Sequence, residues 1–130
     1  MDAFIGKWEH VECENFDAYM KQIGVGMIQR KMAGALKPTI TYEKNGNKWK
    51  ITVASSVKNT VTEFELDVEF EETTPDGRKA KSTFHFENGK LIQIQKSDKD
   101  SRFERWIEGD HLITTGECEG VKYKRVNKRV

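Results

Sequence analysis

The sequence predicts an all-β protein, an antiparallel meander closed into a barrel or sandwich and interrupted once by helices. Three observations carry this reading. Helical periodicity is confined to residues 15–36. Beyond it, short strand-like runs recur at about ten-residue intervals across hairpin-sized turns. The apolar content is thin, with 36% hydrophobic residues against 33% charged and a mean hydropathy of −0.74. A meander this long would expose unpaired backbone groups along two edges if it stayed flat, so it closes on itself. With 130 residues the chain forms one domain with a real core, yet so few apolar residues suit an interior that is hollow or wet.

The first strand covers residues 4–13. Phe4, Gly6, Trp8 and His10 alternate there with Ile5, Lys7, Glu9 and Val11, and because both faces are mixed the inward face stays open. Phe16, Tyr19, Met20 and Ile23 then recur at three- and four-residue spacing, Gly24-Val25-Gly26 breaks the pattern, and Ile28, Met32 and Leu36 resume it. Two short amphipathic helices joined by a glycine turn satisfy this spacing. Asp17 lies near the start of the first, and Gln29, Arg30 and Lys31 form the polar face of the second. Pro38 opens a strand to residue 43, and Asn45-Gly46 is a two-residue hairpin signal. The following strand sets Trp49, Ile51 and Val53 against Lys48, Lys50 and Thr52.

Residues 61–71 alternate Phe64, Leu66, Val68 and Phe70 with Glu63, Glu65, Asp67 and Glu69, as one long strand or as two joined by a tight turn near Leu66-Asp67. Pro75-Asp76-Gly77 turns into a strand whose Arg78, Ala80, Ser82, Phe84 and Phe86 oppose Lys79, Lys81, Thr83, His85 and Glu87. Asn88-Gly89, Gly109-Asp110 and Glu119-Gly120 then punctuate strands over 91–96, 102–108, 112–117 and 121–128.

Several function classes drop out. The 22 basic and 21 acidic residues nearly balance, with no long run of either sign, so no nucleic-acid footprint is expected. The N-terminus lacks a basic region followed by an apolar run, and no stretch could span a bilayer. A cytoplasmic location is therefore expected, with nuclear residence also open. Cys13 and Cys118 lie far apart without CxxC or Cys/His spacing, so two reduced thiols are expected rather than a disulfide or a metal site. Without a nucleophile elbow, a phosphate-binding glycine loop or metal spacing, the chain reads as a non-enzyme needing no cofactor. His10, His85 and His111 are scattered and read as surface or locally bonded histidines.

The informative residues lie in the last strands. Lys122, Lys124 and Lys128 share a solvated face of the final strand, which turns Val121, Tyr123, Arg125 and Asn127 inward. Over 102–108, Arg102, Glu104 and Glu108 mark the wet face despite Trp106, so Phe103, Arg105 and Ile107 point in. An arginine cannot shed its proton, and an unpaired buried charge is costly. Something anionic should meet Arg105 and Arg125: either an inward acid or solvent at the rim, or the carboxylate of a ligand whose apolar remainder lies against the walls.

The opening Phe4-Ile5-Gly6-Lys7-Trp8, the run Glu14-Asn15-Phe16-Asp17-Ala18-Tyr19-Met20-Lys21, Gly24-Val25-Gly26 and Arg30-Lys31-Met32-Ala33-Gly34 resemble the intracellular fatty-acid-binding proteins of the calycin group. Lys37-Pro38, Lys58-Asn59-Thr60, Asp76-Gly77-Arg78-Lys79, Lys81-Ser82-Thr83, Arg105 and Arg125 extend the likeness over essentially the whole chain. The resemblance implies a ten-stranded, flattened, up-and-down barrel around a water-filled cavity, capped by a helix-turn-helix between strands 1 and 2. It also implies two arginines and a tyrosine that grip a fatty-acid carboxylate, one arginine directly and one through water. The family's Arg-x-Tyr reads Arg125-Val126-Asn127 here, Val57 stands where a portal phenylalanine is common, and His10 replaces a usually aliphatic residue. Lipocalins share the Gly-x-Trp start but are usually longer, secreted and disulfide-bonded.

The expected function is thus a monomeric cytosolic carrier of a long-chain fatty acid or similar hydrophobic carboxylate. Arg125 and Arg105 would anchor the head group, assisted by Tyr123 and Asn127. The cavity and portal would be lined by Phe16, Tyr19, Met20, Val25 and Ala33 from the helices, and by Pro38, Ser55, Val57, Asp76 and Arg78 from the barrel. A retinoic-acid-type ligand is the near alternative. A different class is an interaction module whose basic lid surface, Lys21, Arg30 and Lys31 with Lys58 nearby, docks on an anionic membrane or a protein partner.

Overall fold

The computed structural model describes residues 1–57, 59–74 and 77–130. A 3-10 turn, Asp2–Phe4, leads into β1 (Gly6–Glu14), so the first strand begins two residues later than its alternation suggests. That turn drives Phe4 into the interior, 2% exposed, where its carbonyl accepts a 3.0 Å hydrogen bond from the Trp8 indole. Helices α1 (Phe16–Gln22) and α2 (Met27–Ala35) follow, then β2 (Thr39–Asn45), β3 (Lys48–Ala54), β4 (Asn59–Phe64), β5 (Phe70–Thr73), β6 (Lys79–Glu87), β7 (Lys90–Lys96), β8 (Ser101–Glu108), β9 (His111–Cys118) and β10 (Val121–Arg129). The ten strands make one sheet in the order β4-β3-β2-β1-β10-β9-β8-β7-β6-β5, antiparallel at every ladder. This is the up-and-down barrel with a helical lid between strands 1 and 2.

The closure is incomplete. Of the two arrangements open for residues 61–71, the chain adopts two strands with a turn, and Asp67 takes a left-handed φ of 64° to make it. Yet β4 and β5 are the two ends of the sheet and share no ladder. The seam between them is held by a bridge from Leu66 to Phe84 and by the Asp67 N–H donating to the Phe84 carbonyl at 2.7 Å. The apolar alternation fails at this point, since Val68 is exposed. Outside the barrel His85 Nδ1 meets the Asp67 carboxylate at 2.6 Å, with Glu87 3.5 Å from Nε2.

Packing is concentrated at the closed base. Phe4, Trp8, Ile40, Tyr42, Trp49, Phe64, Phe84, Leu91 and Leu112 form one buried cluster, as the inward set Trp49, Ile51 and Val53 requires. Gly6 has φ 133°, and a Cβ there would lie 2.8 Å from the Arg129 guanidinium. Only glycine combines that backbone with so close an approach. Arg129 donates to the Ile5 and Ala3 carbonyls at 3.1 and 2.5 Å and covers the Trp8 ring at 4.1 Å, locking the last strand onto the N-terminal turn. Trp106 is explained on the outer face: Lys90 sits 4.7 Å above its ring and Glu108 accepts its indole N–H.

The lid is looser. Asn15, with φ 61°, donates to the Lys122 carbonyl at 2.7 Å and pins the start of α1, which buries Tyr19 and Met20. Helix α2 buries nothing fully: of the apolar set Ile28, Met32 and Leu36, Ile28 is 76% exposed, while Met32 and Leu36 border the interior cavity. Arg30 ties the helices together through Asp17 at 3.2 Å and the Val25 carbonyl at 2.7 Å.

Stability should therefore reside in the base. Leu91→Ala, at 0% exposure, is expected to cost about 2–5 kcal/mol in urea unfolding, whereas Ile28→Ala on α2 should stay within about 0.5 kcal/mol; equal losses would contradict this division. The seam should respond to pH. The hydrogen bond to Asp67, and secondarily the Asp67 and Glu87 charges, raise the His85 pKa. A raised histidine contributes fully below its unfolded value of about 6.5 and loses the contribution as pH climbs through its folded value. Protection of the Asp67 amide against exchange, corrected for intrinsic rate, should fall with pH above about 6.5, and His85→Gln should abolish the pH dependence.

Candidate functional site

Above the packed base the barrel encloses a cavity of about 500 Å³. Its roof is the lid, through Phe16, Tyr19, Met20, Ile23, Val25, Met32, Ala33 and Leu36. The walls come from alternate inward positions of the strands: Ile51 and Val53 on β3, Thr60 and Thr62 on β4, Glu72 on β5, Gln93 and Gln95 on β7, Phe103 and Arg105 on β8, Tyr123 and Arg125 on β10. Apolar and polar groups alternate around it. The thin hydrophobic content of the chain is thereby accounted for, because the interior is only partly filled by side chains.

The two inward arginines face this cavity, and among the described residues neither has an ion-pair partner. Arg105 donates through Nη2 to the Gln93 side-chain oxygen at 2.9 Å, and the Gln93 amide donates to Glu72 at 3.1 Å. Glu72 thus reaches Arg105 only through a neutral amide, which polarises the chain without neutralising the guanidinium in place. Arg105 Nη1 and Arg125 Nε are buried without a hydrogen-bond partner. Both guanidiniums lie near aromatic rings: Arg105 is 5.5 Å from Phe84 and 5.4 Å from Phe103, and Arg125 is 4.9 Å from Phe16.

Tyr123 packs between these elements, its ring centroid 4.9 Å from Phe16 and 4.8 Å from Tyr19. A Cβ at Gly116 on the neighbouring strand would fall 2.2 Å from a Tyr123 ring atom, so the absence of a side chain at 116 makes room for the phenol. Burial raises the Tyr123 pKa, opposed by the positive charges of Arg125 and Arg105. Burial likewise pushes Tyr19 far above the usual phenol value, although its hydroxyl donates to Ser101 at 2.8 Å. Burial thus disfavours the phenolate form at both positions.

The expected lining residues Phe16, Tyr19, Met20, Val25, Ala33, Pro38, Ser55, Val57 and Arg78 all border the cavity, as do Arg105, Arg125 and Tyr123. Asp76 and Lys58 lie outside the described residues. Asn127 is inward but does not border the cavity: it is 0% exposed, with both carboxamide atoms unpartnered. Arg30, expected on a free basic surface, is half-buried and engaged within the lid, while Lys21 and Lys31 are exposed. Strand alternation alone did not single out Glu72, Gln93 and Gln95; their signal was a polar residue on an inward-facing parity, as at the arginines.

A model of the Lipocalin / cytosolic fatty-acid binding protein family matches residues 5–130. Fatty acid-binding protein homolog 5 of Caenorhabditis elegans is 50% identical over 128 residues, covering 95% of this chain and 94% of that protein. The adipocyte fatty acid-binding protein of Pygoscelis papua is 42% identical over 129 residues and covers 98% of each. A Schistosoma mansoni fatty acid binding protein in complex with arachidonic acid superposes with a TM-score of 0.96 at 34% identity, covering 100% of this chain and 98% of the other. A hollow ten-stranded barrel with a two-helix lid, matched along its length by these relatives, places this chain in the lipocalin / cytosolic fatty-acid binding protein family.

Proposed function

We propose that the chain is a non-catalytic carrier holding a long-chain fatty acid, or a similar apolar carboxylate, in the lumen with its head group at Arg105 and Arg125. The observation that carries this is the pair of lumen-facing guanidiniums with buried, unpartnered N–H groups and no ion pair among the described residues. A carboxylate offers acceptors only, and so complements these donors. The chain would run past Phe16, Ile51, Val53 and Phe84. Tyr123 supplies a hydroxyl from the same wall, while Asn127 falls outside this contact set. The relatives support the same ligand class, by name and by the arachidonic acid complex. Retinoic acid presents the same head group to the same anchors. The carrier acts as a cytoplasmic monomer and needs no cofactor.

Arg125→Ala and Arg105→Ala should each weaken binding of a fluorescent fatty acid about tenfold or more, the worth of a charge-assisted bond. A matched fatty alcohol should change by less than about threefold. Equal sensitivity of acid and alcohol would refute the anchoring role.

One further observation favours transient docking of the lid on anionic membranes. Met27 and Ile28 stand 61% and 76% exposed on α2, beside the exposed Lys31, with Lys21 on α1. Apolar side chains flanked by cations match an anionic interface. Transfer of a fluorescent fatty acid to vesicles should quicken with anionic lipid content, and Lys21→Glu/Lys31→Glu should remove that dependence; transfer indifferent to vesicle charge would exclude docking.

A further inference from the structure

A second cavity, of about 470 Å³, opens between β1, the first turn of α1 and the end of α2. His10, Cys13 and Arg125 form part of its wall, together with the exposed Lys37. Phe16, Ala33, Leu36 and Arg125 border both this pocket and the lumen, so the Arg125–Phe16 pair stands between the two.

The pocket's charge is one-sided. Arg125 and Lys37 are cations, and the acid on its wall, Asp17, is already bonded to Arg30 at 3.2 Å. Burial, and then the charges of Arg125 and Lys37, lower the His10 pKa. Arg125 Nε and His10 Nδ1 are buried without partners. Directly across the ladder from His10, the fully buried Asn127 also has an unpartnered carboxamide. The Arg125 Nε donor and the Lys37 cation thus share a pocket whose acid, Asp17, is already engaged by Arg30. The volume exceeds what a carboxylate fills, and two cations match a phosphate monoester, which carries about −1.5 to −2 charges at neutral pH.

We propose that this side pocket is a second anion site, distinct from the lumen, that takes a phosphate group: the head group of a single-chain phospholipid whose chain passes Phe16 and Leu36 into the lumen, or free phosphate. The lipid form rests on the lumen reading above, and the free-phosphate form does not.

Cys13 lines the pocket, whereas Cys118 is 1% exposed and serves as an internal reference for global opening. Iodoacetamide labelling of Cys13, read by mass spectrometry, is followed with a lysophosphatidate below its micellar concentration, the matched monoacylglycerol and inorganic phosphate. At saturation the lysophosphatidate should slow Cys13 alkylation about tenfold or more. Lys37→Glu should abolish that protection while changing fatty-acid affinity less than about twofold. Protection by inorganic phosphate equal to that by the lipid would assign the pocket to free phosphate. The proposal is overturned if neither phosphate probe protects Cys13, if the monoacylglycerol protects equally, if protection survives Lys37→Glu, or if that variant loses fatty-acid affinity in parallel. Absence of fatty-acid binding in the wild type, with phosphate protection intact, would sink the lumen reading and leave the pocket standing.

Discussion

The rest of the molecule is arranged around two guanidiniums that face a lumen and, among the described residues, form no ion pair there, Glu72 reaching Arg105 only through Gln93. A permanent positive charge away from bulk water is tolerated only with compensation. Here the compensation inside the protein is partial: Gln93 accepts from Arg105 and passes polarisation on to Glu72, and aromatic faces lie within reach of both cations. A lumen built this way favours an incoming anion and is unsuited to being filled with aliphatic side chains. That single constraint explains why the chain is so polar for a folded domain, and why Ser82, Gln93, Gln95 and Thr114 are buried in a barrel of this size.

A hollow upper half shifts the burden of stability to the lower one. Trp8, Tyr42, Phe84, Leu91 and Leu112 pack solidly at the base, and Arg129 fastens the final strand to the N-terminal turn above the Trp8 ring. The lid needs no such packing. Helix α1 is pinned by Asn15 and by the Tyr19 and Met20 side chains, whereas α2 buries no residue fully and is held to α1 by Arg30. A roof whose second helix buries little surface costs little to lift. The same economy leaves Met27 and Ile28 facing solvent, which a purely structural plug would not require.

Much of this was legible along the chain because strands were short, turns were signalled by Asn45-Gly46, Asn88-Gly89, Gly109-Asp110 and Glu119-Gly120, and parity could be read wherever one face was uniformly charged. Lys122, Lys124 and Lys128 oriented β10, and through it Tyr123 and Arg125. Where the faces were mixed, the reading weakened. Parity put Asn127 with Arg125, but depth is not encoded in alternation, and the residue lies in the packed wall and not on the cavity. Periodicity likewise grouped Ile28 with Met32 and Leu36, although only the latter two border the lumen. The unpaired seam between β4 and β5 was hidden because the alternation from Phe64 to Phe70 runs through the turn without a break. His10 read as one scattered histidine; only the ladder and the lid bring it beside Arg125 and Lys37.

Placing Arg125 between two cavities has a thermodynamic consequence. In the proposed arrangement one guanidinium serves two anion sites and cannot saturate both at full strength, so by linkage occupancy of each would weaken the other by the same factor. The Phe16 ring, 4.9 Å from that guanidinium and itself on the first turn of α1, makes the partition part of the lid and not of the wall. Any displacement of α1 that draws Phe16 away exposes Arg125 on both sides at once. In the proposed arrangement, head-group binding and lid position are therefore tied at the single contact between Arg125 and Phe16.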